Sequence, residues 1–374
     1  MIKKLPILPY IVLLFFLSSC SDKSKADISN ASSPKKGQEI VVDPVTQYQK
    51  NLYKSLIDSL LEKSDFNGII SIKSDSFTKY ETVAGQENFK DKTPVSPISI
   101  FAIGSISKQF TAVQILKAQE EGLLHIDSLV SNYLPQFNKP TFNKITIKNL
   151  LNHSSGISDF APGISTTPSQ KFSYSNKGYR YLGEVLEKVR GKSYEKLTVQ
   201  FLNAQGLTSI LTPDSAVLKN FASAYIGNLK NPIEVENMPK RLQVNNIGTS
   251  AGGLLSTAEG LHNWNFLLYK EKIISKASLS LLNKKYFSFK HGVLGQVGYG
   301  LGIMLPDSNE SAYFHSGYVK GSASLLIYYP KSNTSVVILS NHANEALGKK
   351  NIFTVHRKVK EIADLLELES LQYN

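Results

Sequence analysis

Cysteine is almost absent from the sequence, which has one among 374 residues. A single cysteine excludes an internal disulfide, so the fold cannot depend on cross-links. No apolar run beyond residue 20 approaches the roughly 20 residues that a membrane-spanning helix needs. Nothing repeats at a fixed period either, which excludes a solenoid or propeller array. What remains is a globular chain with an ordinary apolar content of 41%, long enough for one large domain or two lobes.

Metal-binding and nucleic-acid-binding patterns are missing as well. The seven histidines show no H-E-x-x-H motif and no paired spacing, so we expect neither a metal nor another cofactor. The net charge of +12 could favour nucleic acid or an anionic surface. However, the basic residues are spread along the chain, without an arginine-rich stripe interleaved with aromatic residues. We therefore expect no nucleic-acid partner and favour affinity for an acidic cell envelope.

The first twenty residues, "MIKKLPILPYIVLLFFLSSC", differ from the rest of the chain. Two lysines, a short apolar run and small residues follow in the order of a secretory signal, although a transmembrane anchor or a buried helix would share the apolar run. The end of this stretch, "LSSC", resembles a bacterial lipobox, which implies that Cys20 is lipidated and becomes the new N-terminus. We expect a signal peptide at 1–19, a flexible polar tether at 20–44 and an exported protein that a lipid anchors to the membrane.

Strand patterns gather at both ends of the remaining chain, and helical patterns fill the middle. The runs "NGIISIK" and "KYETVAG" predict one hairpin, and "SASLLIYYP" and "SVVILSN" predict another. Near the N-terminus, four apolar residues spaced four apart predict one face of a helix: Tyr48, Leu52, Leu56 and Leu60. The last helix is predicted in "IFTVHRKVKEIADLLEL".

This order predicts an α+β fold, with an antiparallel sheet flanked by N- and C-terminal helices and a mostly helical second lobe. We expect one domain over residues 45–368. Its sheet lobe would comprise about 45–100 and 290–368, and its helical lobe about 101–289. A cleft is expected near the loop before Ser105, where the two lobes meet.

The segment "FAIGSISKQF" places Ser105 three residues before Lys108 at the start of a predicted helix. Residues three apart lie side by side on a helix. A lysine that is desolvated in a cleft can take the proton of a serine hydroxyl, and free N–H groups in the first helical turn can stabilise an oxyanion. The alternative is a helix-capping serine beside a solvated lysine. Ser107 lies about 100° around the helix from each neighbour and is expected to be a spectator, so Ser107→Ala should spare acylation.

Two further motifs fall at predicted element boundaries. Tyr174 and Asn176 in "FSYSNKGY" precede a helix, where the phenol could relay a proton and the amide could hold a substrate carbonyl. His315, Ser316 and Gly317 begin an apolar strand, where the glycine permits close approach of a ligand and the polar pair can hold an anionic group or a proton. Taken singly, these motifs also suit a helix-capping loop and a strand with a surface histidine.

Together and in this order, the motifs resemble those of the penicillin-recognising serine hydrolases, which comprise serine β-lactamases, D-alanyl-D-alanine peptidases and related esterases. Segments such as "LLNHSSGISDF" and "SAGGLLSTAEGLHNW" extend the resemblance over about residues 50–365. The Tyr-Ser-Asn and His-Ser-Gly forms resemble the class C β-lactamase and DD-peptidase branch. No acidic residue of this sequence stands in an obvious counterpart of the class A deacylation loop.

The resemblance implies a role for each matching position. Ser105 would be the acylated nucleophile, and Lys108 and Tyr174 would share proton transfer. The backbone N–H groups of Ser105 and Tyr318 would form the oxyanion hole. Substrate would be bound by Asn176, His315, Ser316 and Gly317, with His315 helping to bind a carboxylate or to orient Tyr174.

A competing pattern is the G-x-S-x-G motif at residues 248–252, which is typical of α/β-hydrolases, with Asp307 and His315 or His342 downstream. The preceding "RLQVNNI" is too polar for a buried parallel strand, and alternating βα units are missing. We interpret "SAGGLLST" instead as a tight backbone segment that lines the cleft.

In the resemblance, His315 stands where the lysine of the Lys-Thr-Gly motif usually is, and a histidine there resembles DD-peptidases and esterases more than efficient β-lactamases. We therefore expect a hydrolase of D-alanyl peptides or small amides and esters. The alternatives are a β-lactamase and a sensor that binds wall peptides or β-lactams without turnover. The oligomeric state is left open.

Overall fold

The computed structural model describes residues 43–75, 77–213, 219–236, 238–242, 248–308 and 311–369. The helices among these residues are α1 Pro44–Leu61, α2 Ser107–Glu120, α3 Ile147–Leu151, α4 Asn176–Arg190, α5 Tyr194–Ala204, α6 Met238–Leu242, α7 Ala258–Tyr269, α8 Lys276–Asn283, α9 Gly348–Ile352 and α10 Thr354–Asp364. The strands are β1 Gly68–Ser74, β2 Thr78–Ala84, β3 Gln86–Asn88, β4 Thr93–Pro94, β5 Phe101–Ala102, β6 Ile210–Leu211, β7 Tyr225–Asn228, β8 Asn231–Glu234, β9 Leu255–Ser256, β10 Phe287–His291, β11 Gly295–Tyr299, β12 Met304–Pro306, β13 Tyr313–Val319, β14 Ser322–Tyr329, β15 Thr334–Ser340 and β16 His342–Ala343.

The central sheet is antiparallel throughout the described residues, with eight strands in the order β10-β11-β12-β13-β14-β15-β1-β2. Both predicted hairpins are confirmed, since β1 pairs with β2 and β14 pairs with β15. The described residues also form three smaller sheets: β3-β4, β5-β9-β6, and β16-β7-β8 in which β16 runs parallel to β7. The predicted α+β architecture is therefore confirmed, whereas the exact lobe limits stay a prediction.

Alternating side chains of the central strands explain why helices cover both faces of the sheet. On one face, Ile70 and Ile338 pack in a cluster with apolar residues of α1 and α10. On the other face, their neighbours Ile69 and Leu339 pack in a larger cluster with α2 and α7. Successive strand residues point to opposite faces, so strands that are apolar at every position require cover on both sides.

The apolar face predicted for α1 is confirmed in part, because Leu52 and Leu60 pack against the cluster that contains Ile70 and Ile338, whereas the other two residues are exposed. The helix buries Tyr53 and Ile57 completely, whereas Tyr48 is 64% exposed and Leu56 is 38% exposed. An α-helix has 3.6 residues per turn, so a row of residues spaced four apart drifts around the axis by about 40° at each step. Leu52 and Leu60 are therefore partly buried at the margin of the contact, and Tyr53 and Ile57 form its centre.

The predicted signal peptide, the lipidated Cys20 and nearly all of the predicted tether lie outside the described residues. Helix α1 begins directly after Asp43, whose carboxylate accepts hydrogen bonds from the backbone N–H groups of Val45 and Thr46. Among the residues that the structure describes, none of the helices combines the length and the hydropathy that crossing a bilayer requires.

Candidate active site

A 3₁₀ turn at Gly104–Ile106 leads directly into α2 and carries Ser105 at its centre. Gly104 has a φ of 52°, a left-handed conformation that favours glycine over other residues. A methyl group added there would lie 2.6 Å from the backbone nitrogen of Tyr318 on β13. Glycine therefore allows the turn to touch the edge of the strand, and Ser105 lies where the helical and sheet parts of the chain meet.

Ser105 contacts both of the residues that were predicted to move its proton. The hydroxyl of Tyr174 donates to Ser105 Oγ over 2.7 Å, and Lys108 Nζ lies 3.1 Å from the same atom. Tyr174 is 69 positions further along the chain, so only the fold brings it to the serine. The structure thus assembles the predicted catalytic set, whose chemical roles stay a prediction.

Lys108 is fully buried, which is rare for a lysine without a carboxylate partner. Besides Ser105, its Nζ contacts Asn176 Oδ1 over 2.8 Å and the backbone oxygen of Ala251 over 2.5 Å. Burial lowers the pKa of Lys108 to about 7, although the negative charge of Asp159 opposes this shift. A large share of the molecules therefore carries a neutral amine at neutral pH.

Asn176 is the first residue of α4, and its amide oxygen is occupied by Lys108. Since the predicted role of Asn176 was to hold a substrate carbonyl, the remaining NH₂ group is the part of the side chain that could do so. The same residue thus links the amine of Lys108 to the cleft.

The turn before α4 holds Tyr174 over the serine through two residues for which no catalytic role was predicted from the sequence. Asp159 accepts hydrogen bonds from the backbone N–H groups of Asn176 and Lys177, at 2.8 and 2.9 Å. The ring of His153 lies beside that of Tyr174, with a centroid separation of 4.2 Å, and its Nδ1 accepts from the Ser175 N–H.

His153 follows the end of α3 and has a φ of 58°. Its position beneath Tyr174 was not foreseen. Burial, followed by the charge of Lys108, keeps the pKa of His153 well below its usual range, so the ring is neutral. The segment "NHSSGISD" gave no periodic signal from which either contact could be read.

Strand β13 carries the third predicted motif along the other side of the cleft. Gly317 lies so close to the turn that an added methyl group would meet the backbone oxygen of Ile103 at 2.1 Å. Only glycine fits there, and it brings the following residue, Tyr318, next to Gly104 and Ser105. The proposed pair of oxyanion N–H groups, those of Ser105 and Tyr318, is therefore adjacent in space.

His315 lines the cleft around Ser105, and its predicted part in substrate binding stays a prediction. The ring is completely buried, with Nε2 3.2 Å from the hydroxyl of Tyr299 and Nδ1 2.7 Å from the backbone oxygen of Ser316. Burial and then the charge of Lys108 lower the pKa of His315 to about 3. A neutral ring with both nitrogens occupied cannot form an ion pair with a substrate carboxylate, so this geometry does not favour the predicted carboxylate contact.

The cleft around Ser105 has a volume of about 500 Å³ and combines aromatic walls with basic groups. Phe172 and Phe289 stack with ring centroids 4.0 Å apart, and Phe160 is fully exposed at the same opening. Lys290 and Lys349 line the cleft together with Ser316 and His291. Ser316 Oγ lies 3.4 Å from His291 Nε2, and the pKa of His291 is lowered by burial and then by the charge of Lys349.

The competing G-x-S-x-G segment forms a short π-helical turn at Thr249–Gly253. Ser250 is 5% exposed, and its backbone oxygen accepts a hydrogen bond from Thr111 Oγ1, while the next carbonyl, that of Ala251, contacts Lys108. The segment is thus a backbone wall of the site, as we interpreted it, and it offers no exposed serine nucleophile.

Sheet, turn and cleft together define a β-lactamase/transpeptidase-like protein with a serine-centred site. Comparison with known families agrees: the Beta-lactamase family model matches residues 56–358. The chain belongs to the β-lactamase family, which comprises serine hydrolases of the β-lactamase and penicillin-binding type.

Individual relatives also match this chain over most of its length. Penicillin-binding protein 4* of Bacillus subtilis (strain 168) is 28% identical over 338 residues, which cover 79% of this chain and 72% of that protein. Protein flp of Staphylococcus aureus (strain NCTC 8325 / PS 47) is 27% identical over 324 residues. That match covers 78% of this chain but only 63% of Protein flp, so this chain spans less than two thirds of that relative.

Among solved structures, the D-amino acid amidase of Ochrobactrum anthropi SV3 superposes with a TM-score of 0.71. The two sequences are 18% identical, and the superposition covers 86% of this chain and 99% of the amidase. At this level of identity the likeness establishes the fold alone.

Proposed function

We propose that the protein is a serine hydrolase that forms an acyl-enzyme on Ser105 and acts on D-alanyl peptides or small amides and esters of the cell envelope. One observation carries this proposal: Ser105 Oγ lies within hydrogen-bond reach of both Tyr174 OH and the fully buried Lys108 Nζ. A serine needs an adjacent base to become a nucleophile, and a desolvated lysine is a suitable one at neutral pH.

In the proposed acylation step, Ser105 Oγ attacks the substrate carbonyl carbon and its proton passes to neutral Lys108. The N–H groups of Ser105 and Tyr318 stabilise the oxyanion. The bond from the carbonyl carbon to the leaving nitrogen or oxygen then breaks, as that atom takes up a proton through Tyr174. Water hydrolyses the resulting ester, which releases the acid and restores the Ser105 hydroxyl.

Tyr174 suits the part of a proton relay rather than that of the base. Burial raises its pKa above the usual value, an effect that the hydrogen bond to Ser105 opposes and the charge of Asp159 reinforces. The phenol therefore keeps its proton at neutral pH, and Lys108 is the group that can accept one.

The basic groups of the cleft support a substrate that carries a carboxylate. Since His315 is neutral and the pKa of His291 is lowered as well, a carboxylate would need other partners, and Lys349 and Ser316 line the cleft. A free C-terminal D-alanyl carboxylate fits this arrangement, with the apolar part of the substrate against Phe172 and Phe289.

Hydrolysis of β-lactam antibiotics is the second candidate, and it is favoured by the family match. Turnover of three substrates by the full-length protein separates these candidates: nitrocefin, a peptide ending in D-Ala-D-Ala and a nitrophenyl ester. The peptide should also be tested with its C-terminal carboxylate amidated. We expect turnover of the peptide or the ester to exceed that of nitrocefin, and amidation to raise the KM.

Rapid nitrocefin turnover would reverse this order of candidates. An acyl-enzyme that forms on Ser105 and never clears would instead favour the sensor.

We further propose that the mature protein is an exported lipoprotein, anchored through Cys20 to a bacterial membrane. The lipobox-like "LSSC" and the polar stretch after it support this location. In a cell fractionation, Cys20→Ala should move the protein out of the membrane fraction, with labelling of Ser105 unchanged. Retention of Cys20→Ala in the membrane fraction at the level of the parent would argue against a lipid anchor.

A further inference from the structure

Asp159 is a carboxylate at the cleft to which the sequence motifs assign no role. It lies in the loop between α3 and α4, 17 residues before Asn176, and its contacts fall on the short turn that contains Tyr174 and Asn176. The contact of Tyr174 with Ser105 and that of Asn176 with Lys108 therefore depend on the position of this turn.

The first helical turn of α4 begins with backbone N–H groups that have no partner within the helix. Four such groups are satisfied here by side chains from three places. His153 Nδ1 accepts from Ser175, Asp159 accepts from both Asn176 and Lys177, and Ser175 Oγ accepts from Gly178. Asp159 thus takes the two central groups of the four.

Asp159 also accepts a hydrogen bond from the hydroxyl of Ser175 over 3.1 Å, which ties the helix cap to the same carboxylate. A negative charge at a helix N-terminus is favourable because the backbone dipoles point their positive end there. The three bonds fix the orientation of the residues on either side of Ser175, namely Tyr174 over Ser105 and Asn176 against Lys108.

The charge of Asp159 reaches the lysine as well. It is the carboxylate whose attraction partly offsets the burial of Lys108. The other titratable groups around Lys108 come from the loop before α4, from α4, from the end of α3 and from β13: Tyr174, Tyr179, His153 and His315. These phenols and rings are neutral, so Asp159 supplies the negative charge that favours the protonated amine.

We propose that Asp159 is a positioning residue for acylation, which fixes the turn carrying Tyr174 and Asn176 and supplies the negative charge that balances protonated Lys108. The inference rests on the proposed function in taking Lys108 as the base.

The test is the rate of Ser105 phosphonylation by a fluorophosphonate, measured against pH on the full-length protein. In this reaction a bond from Ser105 Oγ to phosphorus forms, the phosphorus–fluorine bond breaks, fluoride leaves and the serine proton passes to Lys108. The probe therefore reports the nucleophilicity of Ser105 without knowledge of the natural substrate.

Asp159→Asn removes the charge and keeps the size of the side chain. We expect its plateau rate to fall about tenfold, because an amide cannot accept all three hydrogen bonds. The acid limb of its pH profile should move to lower pH by about 0.5 unit or more, because Lys108 loses an attractive charge. Asp159→Glu keeps the charge but not the length, so its plateau should fall while its acid limb stays in place.

Asp127→Asn is the matched control, since Asp127 is an exposed carboxylate that pairs with Lys148 on the surface. Its profile should coincide with that of the parent. If Asp159→Asn only lowers the melting temperature and leaves both limb and plateau unchanged, the inference is wrong. Should that variant fail to fold, Asp159→Glu with an unchanged plateau overturns the inference.

A different experimental result is expected if the proposed function itself is wrong. In that case Ser105→Ala would react with the fluorophosphonate as fast as the parent does. An inert Ser105→Ala together with an unmoved Asp159→Asn profile would refute the role of Asp159 alone.

Discussion

Lys108 has the hydrogen-bonding capacity that a base in this site needs. A neutral amine offers two N–H donors and one lone pair. The carbonyl oxygens of Asn176 and Ala251 can only accept, so they take the two donors and leave the lone pair directed at Ser105 Oγ. A protonated amine has a third N–H donor in place of that lone pair, so it donates to Ser105 Oγ and cannot accept the serine proton.

The first prediction concerns the pH dependence of this residue. Because the amine must be neutral to accept the serine proton, kcat/KM should rise with pH through the lowered pKa of about 7 and then level off. Below that pH, the rate should fall about tenfold per unit. Measurement with a nitrophenyl ester between pH 5 and 9 checks this profile.

Lys108→Arg keeps a positive charge but cannot give it up, so activity should fall by roughly 10²–10⁴-fold. Lys117→Arg, on the exposed part of α2, is the matched control and should behave as the parent. An active Lys108→Arg enzyme with an unshifted profile would remove Lys108 from the mechanism.

That Ser107 is a spectator in acylation stays a prediction, but its side chain has a structural role. Its side chain is completely buried, donates to the Gly104 oxygen over 2.7 Å and accepts from the Leu254 N–H over 3.0 Å. It therefore connects the turn that carries Ser105 to the segment next to Ala251.

We predict that Ser107→Ala lowers the free energy of unfolding by about 1–3 kcal/mol, because two buried backbone groups lose their partner. Labelling of Ser105 should persist in this variant, though more slowly. Urea denaturation measures the first effect, with the half-buried Ser64→Ala at the end of α1 as control. Equal stability of Ser107→Ala and the parent would show that these bonds contribute nothing.

At the scale of elements, the N- and C-terminal segments are joined beneath the sheet by a buried ion pair. Glu367, in the π-helical turn after α10, contacts Lys79 of β2 at 2.7 and 2.8 Å. The hydroxyls of Tyr53 on α1 and Thr334 on β15 donate to the same carboxylate. One side chain therefore holds four elements together.

Glu367→Ala should lower the free energy of unfolding by about 3–5 kcal/mol, since it leaves Lys79 buried without a counter-charge. Glu361→Ala breaks an exposed pair with Arg357 on α10 and should cost under about 1 kcal/mol. The two variants are compared by urea denaturation. Similar costs for both would mean that the buried pair has no special role.

Elements were predicted well where a local pattern determines them. The two hairpins follow from short runs rich in β-branched and other apolar residues, and the two strands of each hairpin lie close along the chain. The face of α1 was predicted only in part, because a row of residues spaced four apart drifts around the helix, so that Tyr53 and Ile57 beside it form the centre of the contact. Spacing also contains no information about the hydrogen bond between Tyr53 and Glu367, which are 314 residues apart.

At the scale of the whole molecule, the site is built from segments that are distant in sequence. The motifs around Ser105, Tyr174 and Gly317 could be found in the sequence because each has a distinctive residue order. Asp159, His153 and the carbonyl of Ala251 could not, since they act through loop geometry and backbone atoms. The neutral state of His315 is likewise a consequence of burial, which the motif alone does not reveal.

The central claim is that Ser105 is the nucleophile, and covalent labelling tests it most directly. The full-length parent and Ser105→Ala are each exposed to a fluorescent penicillin and to a fluorophosphonate, after equal melting temperatures have shown that both are folded. We predict that the parent forms a stoichiometric adduct with the fluorophosphonate and that Ser105→Ala forms none with either probe. Labelling of Ser105→Ala at the rate of the parent would contradict the account.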